Sequence, residues 1–258
     1  MTIKNNKNLH MKILVCISSV PDTTSKINFT ADKSAFDKNG IQWVINPLDE
    51  FALTKAIKLQ ESQGATVTVI NVGDNTTEPV IRKALAIGAN EAIRVNADPK
   101  DSFSVAKEIA NVAQNGGFDL ILCGKESIDY NGCAVPGMVA QLLNQPFVNA
   151  CVGLDVNGSD VTAIREIEGG KETISVKLPA IIAGQKGMVD EKDLIIPNMR
   201  GIMSARTKPL KVEEPVSAGA KVEAISFDSV PQRAAVKLVS ADNLDELVRL
   251  LHEEAKVI

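Results

Sequence analysis

Strand-like and helix-like patterns alternate from Lys12 to about Leu143, and that alternation confines the chain to an α/β architecture with a parallel sheet. Lys12–Val20 is a short, nearly continuous apolar run, as expected of a strand buried on both faces. Asn46-Pro47-Leu48-Asp49 then opens a helix: Asn46 can cap, Pro47 suits the first helical position, and Asp49 favours the positive helix start. Leu48, Ala52, Ala56 and Leu59 recur at helical spacing, and Gly64 is a stop. Ala65–Val72 alternates and is rich in β-branched residues, hence a second strand. A helix over Thr77–Ile87, a strand at Ala92–Val95, a helix capped by Asp101, a strand at Leu120–Cys123 and a helix around Met138–Leu143 complete the series. Units of this kind wind right-handed, with helices on both faces of the sheet.

The second half has a different texture. Val152–Val156, Asp160–Glu168 and Glu172–Val176 read as strands joined by turns at Asn157-Gly158 and Gly169-Gly170, so hairpins are expected. Leu178–Ala183 returns to a buried apolar run. From Gly184 to about Ser240 the periodicity weakens and Pro, Gly, Lys and Arg accumulate, which predicts a segment laid along another surface. A terminal helix over Asp242–Glu254 carries an apolar stripe of Leu244, Leu247, Val248 and Leu251. The domain plan is therefore a flexible leader over residues 1–10, an α/β domain over 11–183, and a partner-recognition segment with a C-terminal arm over 184–258.

Several function classes are disfavoured by what the chain lacks. A net charge of −4 provides no electrostatic footprint for nucleic acid. No apolar run approaches the roughly 20 residues that a membrane-spanning helix needs. The four cysteines form no CxxC pair, and two histidines cannot assemble a zinc site, so no metal is expected and a reducing, cytoplasmic setting fits best. There is no GxGxxG after the first strand, no GxxxxGK[ST], and no Ser/His/Asp set, so no catalytic residue is expected. That pattern favours a carrier or binding protein over an enzyme.

In an open α/β sheet, ligands lie beyond the carboxyl ends of the strands. Four segments converge there: Cys16–Asp22, Asn46–Asp49, Val72–Asn75 and Gly124–Val135. The last is rich in small and turn-forming residues, and the helix that follows it favours an anion such as phosphate. A plain connecting loop is the equally weighted alternative on local chemistry alone.

The stretch Ala163-Ile-Arg-Glu-Ile-Glu-Gly-Gly-Lys-Glu-Thr-Ile-Ser-Val-Lys-Leu-Pro-Ala-Ile-Ile-Ala183 resembles the signature of the electron-transfer flavoprotein beta (small) subunit family. Asn46-Pro47 before an acidic helix, Ala84-Leu-Ala-Ile-Gly-Ala89, and Gly201-Ile-Met-Ser-Ala-Arg206 before Lys208-Pro209 agree in order and spacing. The resemblance spans nearly all of Lys12–Leu210. It implies a Rossmann-like parallel sheet of the adenine nucleotide alpha-hydrolase type, with a C-terminal arm that wraps a partner. It also implies an alpha subunit holding the redox-active FAD and a non-redox AMP in this chain. Carried over by position, the AMP contacts are Cys16, Asn46, Pro47, Leu48, Asp49, Val72, and the loop Gly124, Lys125, Glu126, Ser127, Ile128, Asp129, Tyr130, Asn131, Gly132, Cys133, Ala134 and Val135. The stretch Gly184–Arg206 corresponds to the part shown to acyl-CoA dehydrogenase-type donors, with Val189–Ile195 as the expected contact. In the loop itself, Tyr130-Asn131-Gly132-Cys133-Ala134 and the Pro136-Gly137 order depart from the family's usual residues. Two other readings remain open: an electron-bifurcating relative with a second FAD in place of AMP, and a stand-alone nucleotide-binding stress-type protein of similar fold.

Overall fold

The computed structural model describes residues 10–216, 219–233 and 235–258. Of the expected leader, residues 1–9 lie outside the described residues, and His10 places Nδ1 3.1 Å from the Gly64 carbonyl oxygen. The elements in chain order are β1 (Lys12–Cys16), β2 (Ser19–Pro21), β3 (Trp43–Ile45), α1 (Pro47–Gln63), β4 (Thr66–Val72), α2 (Glu78–Ile87), β5 (Glu91–Val95), α3 (Ser102–Gly116) and β6 (Leu120–Gly124). After these come α4 (Val135–Leu143), β7 (Phe147–Asn157), β8 (Asp160–Ile167), β9 (Gly170–Lys177), β10 (Ala180–Gly184), α5 (Met199–Ala205), β11 (Leu210–Glu213) and α6 (Leu244–Arg249).

The main sheet has nine strands in the order β11-β5-β4-β1-β6-β10-β7-β8-β9. Pairing is parallel from β11 through β7 and antiparallel across β7-β8-β9. The parallel α/β sheet is thus the one expected. Its centre is apolar on both faces: Ile13, Leu14, Ile121, Leu122, Ile181 and Ile182 are almost fully buried. Burying each such side chain stabilises the fold by roughly 1.5–3 kcal/mol. Alternate residues feed two cores. Ile13 and Val15 pack with Leu53, Ile57, Ile81 and Leu85 of α1 and α2, whereas Leu14 and Ile121 pack with Ile109 and Val139 of α3 and α4. The order reverses at β1, with β4 on one side and β6 on the other. The crevice beyond β1 and β6 is therefore a topological switch point.

Turn chemistry matches the elements it ends. Gly64, after α1, sits at φ 71°, a left-handed conformation that glycine adopts without a Cβ penalty. Gly158 and Gly169 take φ 60° and 81° in the turns flanking β8. Asp101 caps α3 through its side chain, with Ser104 completing a capping box.

The structure differs from expectation in three places. The loop before α1 carries a small antiparallel pair, β2 with β3, which is too short for a periodic signal. β7 begins at Phe147 and pairs parallel to β10 before bending into the hairpin with β8. The sheet also runs past residue 183, because β11 adds an edge strand beside β5. Arg82 of α2 donates to the carbonyls of Ala205 (3.0 Å) and Lys208 (2.9 Å), and the Lys208 ammonium donates to Leu85 O (2.8 Å) and Ala89 O (2.6 Å) at the end of α2. These polar staples hold α5 and β11 against the sheet where the sequence shows little hydrophobic period.

The described residues form two compact units, one built from those within 10–27 and 38–225 and the other from those within 28–37 and 226–258. Within the second, Phe29 stacks on Phe227 at 5.3 Å, and Lys33 pairs with Asp228 at 2.5 Å. It also holds α6, where Arg249 pairs with Glu246 and Glu253. Leu244, Leu247 and Val248 are exposed on it, while Leu250 is buried. Among the described residues no helix is long and apolar enough to cross a membrane.

Candidate functional site

The crevice at the switch point is built by three chain segments tied to one another through the first turn of α1. Asn46 and Asp49 are both buried. The Asn46 amide nitrogen donates to the Ser18 carbonyl (3.0 Å), and the Ser18 amide donates to Asp49 Oδ2 (2.8 Å), which fixes α1 to the loop after β1. The Gly124 amide at the end of β6 donates to Asp49 Oδ1 (2.8 Å). Asn46 Nδ2 donates to Glu126 O (2.8 Å), and the Ile128 amide donates to Asn46 Oδ1 (3.2 Å). Asn46 occupies the cap position of α1, yet its side chain makes no capping bond. The side chain is diverted to the loop after β6, while Pro47 removes one N–H that would need a cap.

Gly124 is required where it stands. A Cβ there would collide with Asp49 Oδ1 and lie 2.9 Å from the Leu48 carbonyl carbon. Burial in this contact pushes the Asp49 carboxyl up to about 7, against the lowering by the Ser18 and Gly124 amides. On the opposite face of the sheet, Cys16 and Cys123 share a hydrogen bond, which together with burial raises Cys123 well above the usual thiol range. Val72 packs in the same cluster as these two thiols.

Beyond Gly124 the chain forms a tight excursion. The Lys125 amide donates to Gly184 O (2.8 Å), which anchors the excursion to β10. The Ser127 amide donates to Gly132 O (3.0 Å), closing a reverse turn over Ile128, Asp129, Tyr130 and Asn131, with Asn131 at φ 52°. Asp129 Oδ1 accepts from the next residue's amide (2.8 Å), and Tyr130 projects outward, 73% exposed. Cys133 Sγ lies 3.5 Å from Glu126 Oε2. Ala134 then sits at the cap position of α4 without a side-chain bond, and Val135 begins the helix.

This corner suits an anion. A Cβ on Gly132 would meet only Ser102 Oγ, at 3.9 Å, so its backbone faces open space. Ser127 Oγ is buried without a hydrogen-bond partner, and α4 starts with its leading amides uncapped. A helix start of this kind presents backbone donors to a phosphate. The side chains of Asn46 and Asp49 are already spent on protein backbone, so the residues free to hold a nucleotide are those of the Ser127–Val135 turn, the crevice walls at Cys16 and Val72, and Leu48. Among the described residues there is no cluster of three or more potential metal ligands.

The sequence did not single out Ser18 or Asn71. Asn71 is buried at the end of β4, donates Nδ2 to Ile17 O (2.9 Å), and leaves Oδ1 without a partner. The available signal was an asparagine interrupting the otherwise apolar run Val69-Ile70-Asn71-Val72. The stretch expected to meet a dehydrogenase, Val189–Ile195, is anchored at its two ends and exposed between them. Val189 is buried, the Ile195 amide approaches Thr54 Oγ1 at 3.4 Å, and Asp193 pairs with Lys58 at 2.9 Å, while Asp190, Glu191, Lys192 and Asp193 between them are exposed. The exposed apolar residues follow immediately: Ile196 (83%), Met199 (75%), Ile202 (43%) and Met203 (61%).

The family model described as the Electron transfer flavoprotein domain matches residues 34–218. The chain is 34% identical over 262 residues to the electron transfer flavoprotein subunit beta of Bacillus subtilis (strain 168), covering 96% of this chain and 100% of the relative. Over 229 residues it is 34% identical to the protein of the same name from Syntrophomonas wolfei, covering 88% of this chain and 89% of that one. The human subunit beta is 29% identical over 257 residues, with 96% and 99% covered. With the family domain matched over most of the chain and subunit-beta relatives aligned over nearly their full length, the chain belongs to the electron transfer flavoprotein beta-subunit family.

Proposed function

We propose that this chain is the non-redox half of a heterodimeric electron carrier: it holds an adenine nucleotide at the switch point and braces an alpha subunit that carries FAD. The observation that carries the reading is the crevice itself. Its acid and amide side chains are consumed in joining loops, and what remains unspent is backbone, one buried unpaired hydroxyl and apolar wall. Such a site suits retention of a nucleotide and offers no acid/base or nucleophile set for turnover. In the heterodimer the alpha subunit's FAD supplies the chemistry, accepting electrons from acyl-CoA dehydrogenase-type flavoenzymes and passing them toward the respiratory chain.

The chain's own residues then have three tasks. Gly132–Val135 and Ser127 hold the phosphate of AMP, while Cys16 and Val72 wall its adenine. The Ile196–Met203 ridge presents large apolar side chains, rimmed by Arg200 and Arg206, to a dehydrogenase surface. The arm over residues 226–258 wraps the alpha subunit, and the carrier works in the cytoplasm.

The test is reconstitution. The purified chain alone is expected to show no flavin absorbance and no oxidoreductase activity. Mixed with its FAD-loaded alpha subunit, it is expected to co-elute as a heterodimer whose flavin is reduced by a dehydrogenase. A yellow, active preparation of this chain alone would sink the reading. So would a stable homodimer that ignores the alpha subunit.

A further inference from the structure

We propose that Asp49 is the positioning residue of the nucleotide site, a clamp whose carboxylate ties the loop after β1 to the end of β6 and so sets the width of the crevice between them. The proposal rests on the nucleotide reading above and goes beyond it by giving the site a pH dependence.

The geometry is specific. One carboxylate oxygen takes the Ser18 amide and the other takes the Gly124 amide, each at 2.8 Å. These two amides belong to the two strand ends that flank the switch point, and the carboxylate is the shared link between them. The side chain is only 4% exposed, so water does not substitute for either bond. Asn46, three residues earlier, ties the same helix turn to Glu126 and Ile128. The first turn of α1 is therefore the common anchor of both loops that line the nucleotide.

A carboxylate can serve two amide donors at once, and a carboxylic acid cannot do so equally well. Protonation turns one oxygen into a hydroxyl, which must itself donate, and one of the two amides loses a charge-assisted acceptor. Burial pushes this carboxyl up to about 7. The groups that act on it are the Asn46 side chain, which favours the charged form, and Asp129 from the loop after β6, whose charge favours the neutral one; the Cys123 thiol, across the sheet, feels the Asp49 charge and is itself bonded to Cys16 of β1. On its own helix the neighbouring Glu50 is held by Lys83 of α2 at 2.6 Å. The clamp is thus closed above neutrality and half-released below it.

The heterodimer is loaded with labelled AMP, and its dissociation rate is followed from about pH 5.5 to 8.5. In the native protein release accelerates roughly tenfold or more as pH falls through about 7, the size expected for losing one hydrogen bond to a charged group. Asp49→Asn releases AMP fast at every pH, and Gly124→Ala, whose methyl displaces the carboxylate, does the same. Parallel pH profiles in the native and Asp49→Asn proteins would overturn the proposal. The amide resonances of Ser18 and Gly124 in the labelled native heterodimer provide a second readout that needs no variant to fold. They are expected to titrate together near pH 7, and amides that stay flat would overturn the clamp even with AMP bound. A heterodimer that never holds AMP would overturn the reading beneath it, and the amide titration would then still decide whether the clamp exists.

Discussion

Replacing Ile196 with aspartate separates docking from folding on the face proposed to meet the dehydrogenase. Ile196 is 83% exposed, so its loss removes almost no intramolecular packing, and the folding cost is expected within about 0.5 kcal/mol. If the side chain inserts into a partner pocket, burying it there contributes about 1.5–3 kcal/mol, roughly a 10- to 150-fold effect on docking. A carboxylate driven into an apolar pocket is unfavourable in its own right, so the loss should lie at the upper end. The assay is anaerobic reduction of the heterodimer flavin by an acyl-CoA dehydrogenase and its substrate, over a range of carrier concentrations. The expected result is a KM raised by at least about tenfold, with dithionite reduction and melting temperature unchanged. Met188, only 5% exposed and part of the core, is the contrast. Met188→Ala should lower stability by roughly 2–5 kcal/mol without a selective effect on KM. An Ile196→Asp heterodimer that melts normally and keeps the native KM would refute the docking assignment.

The remaining predictions concern stability and assembly. Asp49 is held at about 7 in the folded chain against an ordinary 3.8, so its contribution to stability is fully present below about pH 3.8 and is lost as pH rises to about 7. Denaturant unfolding of the native chain should show this decline, amounting to at most about 4.5 kcal/mol from about 1.4 kcal/mol per unit, and Asp49→Asn should flatten it. The decline has the opposite sign to AMP retention, so a structural role and a clamping role are separable. Lys208→Met removes an ammonium that bonds two carbonyls at the end of α2, and should cost about 1–3 kcal/mol by chemical denaturation; no change would mean β11 is held by its strand pairing alone. Truncation after Ser240 removes α6 with its exposed Leu244, Leu247 and Val248, and should weaken alpha-subunit association measured by calorimetry. A lowered melting temperature of the lone chain with unchanged affinity would instead place that helix in the chain's own core.

The parallel sheet was legible because its strands carry the signal themselves. Ile13–Cys16 and Leu120–Cys123 are apolar on both faces, and only a strand covered by helices on both sides needs that, while Val67–Val72 declares itself by its β-branched residues. The caps at Asp101 and Gly64 were legible for the same local reason. β11 was not, because four residues, Leu210–Glu213, on a sheet edge bury too little to impose a period. Its position depends on Lys208 and Arg82 reaching helix and loop carbonyls, contacts that no local pattern encodes. The site divides the same way. Residues near the crevice were legible from the switch-point rule, and the division of labour among them was not. Asn46 reads as a helix cap and Asp49 as a dipole partner, yet both side chains reach across more than seventy residues to the loop after β6. Within the expected contact stretch, Val189 and Ile195 look as apolar as Ile196 in the sequence, and only their contacts tell the anchored residues from the exposed one.

The central claim is that this chain retains a nucleotide while its partner holds the flavin. The direct measurement is the heterodimer, purified with its alpha subunit, denatured, and resolved by chromatography for adenine nucleotides and flavin. The account predicts about one AMP and one FAD per heterodimer, with Gly132→Val lowering AMP occupancy and leaving FAD in place, since a β-branched side chain blocks close backbone approach. Two FAD and no AMP would keep the site and assign it to a bifurcating carrier. A heterodimer that releases no adenine nucleotide beyond the single FAD would contradict the account.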